Sequence, residues 1–189
     1  MFNEFFNIVF KSIKLDSSLY IDKKNYNEAS IYFALVIILL VSIISLIPGS
    51  VFFQYMNNLI GLNELKGPSF RSVLISSLIV WIIKTGYLYF VGVVLFPSSS
   101  TKCSFRKLLI TVAYAHSPFI FYIFIIDIKL IYFTFIPYIW YCVALIIGLR
   151  NVLNYENYFK PTIISLAPQI LLLLYFLSQS FSPNSGMVS

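Results

Sequence analysis

With 189 residues, 59% of them hydrophobic and only 11% charged, the chain has too few polar side chains to cover a water-soluble fold. Such folds draw about a quarter of their residues from Asp, Glu, Lys and Arg, so membrane is the natural solvent and the length suits one domain. The net charge of +6 is spread over loops without a basic stripe to track phosphates, so it reads as topology and anionic-lipid contact, not as a nucleic-acid surface.

Residues 1–29 are mixed in character. Phe2, Phe5, Phe6, Val9, Phe10, Ile13 and Leu15 recur at helical spacing between Asn3, Asn7, Lys11 and Lys14. That pattern predicts an amphipathic helix in the membrane interface, which either caps the bundle or else docks a partner or senses curvature. The charged start running straight into a short apolar stretch, which a cleavable signal peptide requires, is not seen. The first long apolar run is therefore read as a permanent span.

A transmembrane helix needs roughly 20 apolar residues to cross about 30 Å of hydrocarbon. Five segments qualify: 30–47, stopping at Pro48-Gly49; 72–96, stopping at Pro97 and a serine cluster; 108–126; 130–149; and 162–178. None alternates as barrel strands do, and backbone amides in lipid must be satisfied internally, so helices are expected. Only Asp127-Ile128-Lys129 separates the third and fourth spans, which predicts a tight antiparallel hairpin. The division is an amphipathic lead (1–29), a transmembrane domain (30–181) and a polar tail (182–189).

Lys11, Lys14, Lys23, Lys24, Lys102, Arg106, Lys107, Arg150 and Lys160 fall on one side of this arrangement, and only Lys66, Arg71 and Lys129 on the other. The positive-inside rule then puts the N-terminus on the cytoplasmic or stromal side. The wealth of Phe, Tyr, Ile, Asn and Lys suits an AT-rich genome, such as that of a plastid or of some bacteria.

Lys84 lies near the middle of the second span, where a lysine costs about 2.5–3.5 kcal/mol on insertion scales. It must find a partner in the bundle interior, snorkel to an interface, or serve binding or transport. His116, the single histidine, lies in the third span and either bonds a neighbouring helix or relays protons. Pro118, Pro137 and Pro168 interrupt the later spans and invite kinks.

Metal coordination has no ligand set: no second histidine accompanies His116, and Cys103 and Cys142 read as free thiols. No H-E-x-x-H, G-x-S-x-G or phosphate-cradling glycine loop is present, and beyond Glu64 the later acids Asp127 and Glu156 fall in short loops. No enzyme and no cofactor is expected.

The pattern resembles the Yip family of multi-span membrane proteins, first known as Ypt/Rab-GTPase interactors of the early secretory pathway. The likeness rests on Phe5-Phe6 through Lys11 to Leu19-Tyr20, on Gly92 and the polar loop into Phe105-Arg106-Lys107-Leu108, on Tyr114 with Pro118 four residues later, and on Trp140 before Gly148-Leu149-Arg150. Length and opening are most similar to the cyanobacterial and plastid branch. The resemblance implies an all-α bundle of about five spans and a non-enzymatic role in membrane organisation or trafficking, in a plastid membrane or a bacterial inner membrane. Leu15-Asp16-Ser17-Ser18-Leu19-Tyr20 does not reproduce the Asp-Leu-Tyr motif of the trafficking members, Tyr114-Ala115-His116-Ser117 stands where they have Tyr-Gly-Tyr-Ser, and a proline usual in bacterial leads is missing. No GTPase-binding residues are carried over, and the lipid bilayer is the one partner assigned. Two alternatives stay open: a small permease whose polar path is lined by Lys84 and His116, and an accessory subunit of a larger membrane complex.

Overall fold

A computed structural model describes residues 2–60, 67, 69–98, 101, 103–125 and 127–180, the side chains at 23, 52, 53, 56–60, 128, 131 and 171–180 excepted. Every regular element among these residues is helical. The chain runs through α1 (Phe2–Ile13), α2 (Ser18–Ile21), a 3₁₀ turn (Lys23–Tyr26), α3 (Glu28–Ile60), α4 (Phe70–Tyr89), α5 (Phe105–Ala115), α6 (Phe135–Val152) and α7 (Phe159–Ser180). Among the described residues four stretches are long and apolar enough to cross a membrane: Glu28–Val51, Phe70–Leu95, Phe105–Phe124 and Tyr132–Val152. The fifth expected span, 162–178, falls in α7, whose side chains beyond Ile170 lie outside the described residues, as do the 182–189 tail, Lys66 and Lys102.

Polar caps start the long helices. Asn27 Oδ1 accepts from the Ser30 amide at 3.0 Å, and the Ser69 and Ser104 hydroxyls accept from the Ser72 and Lys107 amides, each at 3.2 Å. These satisfy amides that a helix start leaves without partners. The expected stop at Pro48-Gly49 is not taken, and α3 continues through Pro48 to Ile60. A proline deletes one helical hydrogen bond, and serines nearby bond back onto the same helix: Ser42 to Ile38 O at 2.6 Å, Ser45 to Ser42 O and Ser50 to Ile47 O at 2.8 Å.

The third expected span, 108–126, is divided. α5 ends at Ala115, His116 caps it, and Ser117–Phe124 continues as 3₁₀ helix. Pro118 has no amide proton and disfavours α geometry at Ser117, which accounts for the change. A second 3₁₀ segment, Ile128–Thr134, leads into α6, so the expected hairpin is entered and left through tightened turns. α4 instead widens into a π-helix over Phe90–Leu95, with the Phe96 amide bonded to Val91 O at 2.9 Å. The Tyr155 hydroxyl closes that end, shared between Gly92 O at 2.9 Å and Phe96 O at 2.8 Å.

α5 is the axis of the packing: α3, α4 and α6 all lie against it, and α7 lies against α6. Leu108 and every residue from Ile110 to Ala115 are buried. The lead belongs to this core and is not a detached appendage. Leu19 and Tyr20 are fully buried, and Ser12 Oγ donates to Tyr114 O at 2.5 Å. Two Schellman turns reverse the chain at the same end. The Asp16 amide reaches Lys11 O and the Tyr155 amide reaches Arg150 O, both at 2.9 Å, with Leu15 (φ 58°) and Asn154 (φ 55°) in left-handed geometry between. The apolar side chains of α1 divide in two: Ile8 and Val9 pack inward, while Phe2, Phe6 and Phe10 face out.

Candidate functional site

The α4 side chains Trp81, Lys84 and Thr85 share one face of that helix by their three- and four-residue spacing. Trp81 donates from Nε1 to Leu109 O at 3.1 Å, which holds α4 on α5, and Thr85 bonds back to Trp81 O at 2.8 Å. Lys84 therefore lies alongside the break in the third span. Its ammonium sits 4.4 Å over the centre of the Tyr141 ring of α6. That ring is a contact inside the bundle, and the same side chain also borders a space between the helices.

His116 meets the same ring, centroid to centroid at 4.6 Å, and Phe119 stacks on it at 5.0 Å. The His116 Nδ1 lies 2.6 Å from Val112 O. A carbonyl only accepts, so Nδ1 carries a proton, and in the neutral ring Nε2 then keeps a lone pair, the tautomer being assigned by that contact. Tyr141 is thus the hub that brings Lys84 and His116 together. Sequence reading missed it, because a tyrosine among fourteen has no distinguishing spacing.

A cavity of about 210 Å³ opens beside this cluster, lined by Lys84, His116, Trp81, Phe119 and Tyr122, and by Ser42, Ser45 and Ser77 from α3 and α4. The Ser42 and Ser45 protons are spent on their own helix, so these hydroxyls turn lone pairs to the space. Lys84 supplies N–H donors and His116 an acceptor. The space exceeds the roughly 30 Å³ share of one water several times over, and its walls offer the two to four polar partners a water needs. The arrangement can hold a short file of water between an ammonium and an imidazole lone pair.

No known protein family, curated protein or solved structure matches the chain. Of the residues that carry the Yip resemblance, the four Tyr114, Pro118, Trp140 and Gly148 lie outside the lining of this cavity. Tyr114 is fully buried and donates to Asn25 O at 3.3 Å. Gly148 lies so close to the lead that an added Cβ would meet Thr111 Cγ2 at 2.8 Å and Tyr20 Cε1 at 3.1 Å. Pro118 is buried at the α5 break, and Trp140 stacks on Phe121 at 5.7 Å beside an apolar groove. Two of the four therefore hold the lead to the bundle, and none lines the Lys84–His116 cavity. Cys103 and Cys142 are free thiols, and burial pushes the Cys103 thiol up to about 11. Among the described residues no cluster of His, Cys, Asp and Glu could hold a metal ion.

Proposed function

We propose that the chain is a non-enzymatic, five-span membrane protein of the Yip type that acts in membrane organisation or trafficking. On this reading it sits in a plastid membrane or a bacterial inner membrane with the N-terminus on the cytoplasmic or stromal side. The observation that carries the reading is the lead. α1 is tied to the bundle through Ser12 and Tyr114, yet Phe2, Phe6 and Phe10, on one face at four-residue spacing, are 76%, 54% and 57% exposed. A fixed apolar stripe beside a membrane bundle suits insertion at the headgroup boundary, with the Lys14 ammonium, 4.4 Å over the Phe10 ring, at its polar margin. Replacing Phe2, Phe6 and Phe10 together by Ser is expected to abolish the effect on vesicle or membrane morphology while the spans still insert. Unaltered morphology would remove the reading.

The cavity favours a second reading, a small permease. Lys84 and His116 border one space between helices, and with three serines they put polar groups along its otherwise apolar wall, as a path for protons or small solutes requires. Full-length protein in liposomes should then dissipate an imposed pH gradient, and Lys84→Leu should stop it without loss of insertion. A wild-type protein as tight as empty liposomes would exclude proton passage.

A further inference from the structure

The ends of α5 and α6 that lie against the lead enclose a polar basin of about 370 Å³, distinct from the intramembrane cavity. Its walls include Tyr20, Lys107, Arg150, Asn151, Asn154 and Tyr155, and so hold two cations and no acid. Both cations are held in place by tyrosine rings: Lys107 Nζ lies 5.0 Å over Tyr26, and the Arg150 guanidinium 4.3 Å over Tyr158. Arg150 also donates from one terminal nitrogen to the Tyr158 hydroxyl at 2.8 Å and from the other to Glu156 O at 3.3 Å. A guanidinium carries five N–H donors, so these two bonds orient the fork without exhausting it.

We propose that this basin binds a phosphate group. A planar guanidinium matches two phosphate oxygens at once, and a lysine on the facing helix adds a point charge. Because the rings and the Arg150 bonds already restrain both side chains, little of their rotational freedom remains to be lost on binding. Position supports the same ligand. Lys107 lies in the first turn of one span and Arg150 in the last turn of the next, the level at which helices leave hydrocarbon and phospholipid phosphates lie. Basic pockets between helices at that depth suit anionic head groups. The same group can also arrive as a free phosphate ion, and the chemistry of the basin is common to both sources.

The test uses full-length protein in neutral detergent, with thermal unfolding followed at constant ionic strength. The additions are inorganic phosphate, micelles doped with phosphatidylglycerol, and micelles doped with zwitterionic phosphatidylcholine. A ligand that binds only the folded state raises Tm. A rise with phosphatidylglycerol over phosphatidylcholine, with apparent affinity at least tenfold weaker in Lys107→Gln and in Arg150→Gln, supports the proposal with lipid as the source. A saturable rise with inorganic phosphate, lost in the same variants and without a difference between the lipids, supports it with the free ion as the source. Arg150 also braces the loop at Glu156 and Tyr158, so where Arg150→Gln fails to fold, Lys107→Gln decides alone. No rise with any addition, or rises that survive Lys107→Gln unchanged, overturn it.

Discussion

The junction of the lead with α5 and α6, and the Lys84–His116 cavity, use the same kinds of side chain in opposite ways. At the junction the hydroxyls reach elements remote in sequence: Ser12 to Tyr114 O, Tyr114 to Asn25 O, and Tyr26 to the Thr111 hydroxyl at 3.1 Å. At the cavity, Ser42, Ser45 and Thr85 turn back on their own helices while Trp81 reaches across to Leu109 O, and the buried hydroxyl of Tyr141, like that of Tyr20 at the junction, has no partner among the described residues. Long-range bonds fix helices to one another, whereas local ones survive if the helices move. The junction, with three such long-range bonds against the one that Trp81 makes at the cavity, is therefore where more of the stability should reside.

The sharpest way to break this contrast is Tyr20→Ala. A fully buried aromatic ring truncated to a methyl costs about 3–5 kcal/mol, and the Tyr20 ring packs, with Thr111, close against Gly148. A large fall in Tm, with α1 opened to protease, is expected; a fall confined to a degree or two would show that the lead does not hold the bundle.

Gly148→Val tests the same contact from the other side. The new Cβ would lie 2.8 Å from Thr111 Cγ2, and overpacking of this kind costs about 1–3 kcal/mol. Gly86 in α4 is the control, since an added Cβ there meets nothing within 4 Å. Gly86→Ala should gain about 0.5–1 kcal/mol through lost chain entropy, read as a small rise in Tm. A gain in Gly148→Val like that in Gly86→Ala would mean that helix propensity and not close packing governs both sites.

At the cavity the sign reverses. Insertion scales charge a mid-bilayer lysine about 2.5–3.5 kcal/mol, and the contact with Tyr141 returns about 0.5–2 kcal/mol. Lys84→Met removes both terms and should raise stability by on the order of 1 kcal/mol. A loss instead would show that Lys84 has a structural partner stronger than the Tyr141 ring.

The apolar runs made four of the spans legible, because burial in lipid demands about 20 apolar residues whatever the packing. The termini were less legible. Proline breaks exposed helices, which makes Pro48 look like a stop, but in α3 it follows Ser42 and Ser45, whose hydroxyls bond back to the backbone. The lead was read as one amphipathic face because helical spacing cannot say which of Phe2, Ile8 or Val9 finds a protein surface. Its fold was written in another signal: Asp16 two residues before Ser18, Asp22 two before Lys24 and Asn27 three before Ser30, all side chains that cap a following turn. Lys84 and His116 stood out as costly residues in lipid, but their meeting depends on Tyr141, from a helix remote in sequence.

The smallest effect expected comes from one of those caps. Asp16 Oδ1 accepts from the Ser18 amide at 2.9 Å, and this bond, helped by Lys11 and Lys14, lowers its pKa below the usual aspartate value. A carboxyl whose folded pKa is depressed contributes stability that is present above its unfolded pKa, about 3.9, and is lost as pH falls through the folded value. Acid below about pH 4 should therefore loosen the corner between α1 and α2 before the spans respond. Asn keeps the accepting oxygen and does not titrate, so Asp16→Asn should flatten that acid response while leaving the corner closed near neutrality. Hydrogen exchange at Ser18 and Leu19, followed from pH 6 downward in both proteins, separates the two. If Asp16→Asn loosens in acid as much as the wild type, the acid response belongs to another carboxyl and the Asp16 cap contributes only its geometry.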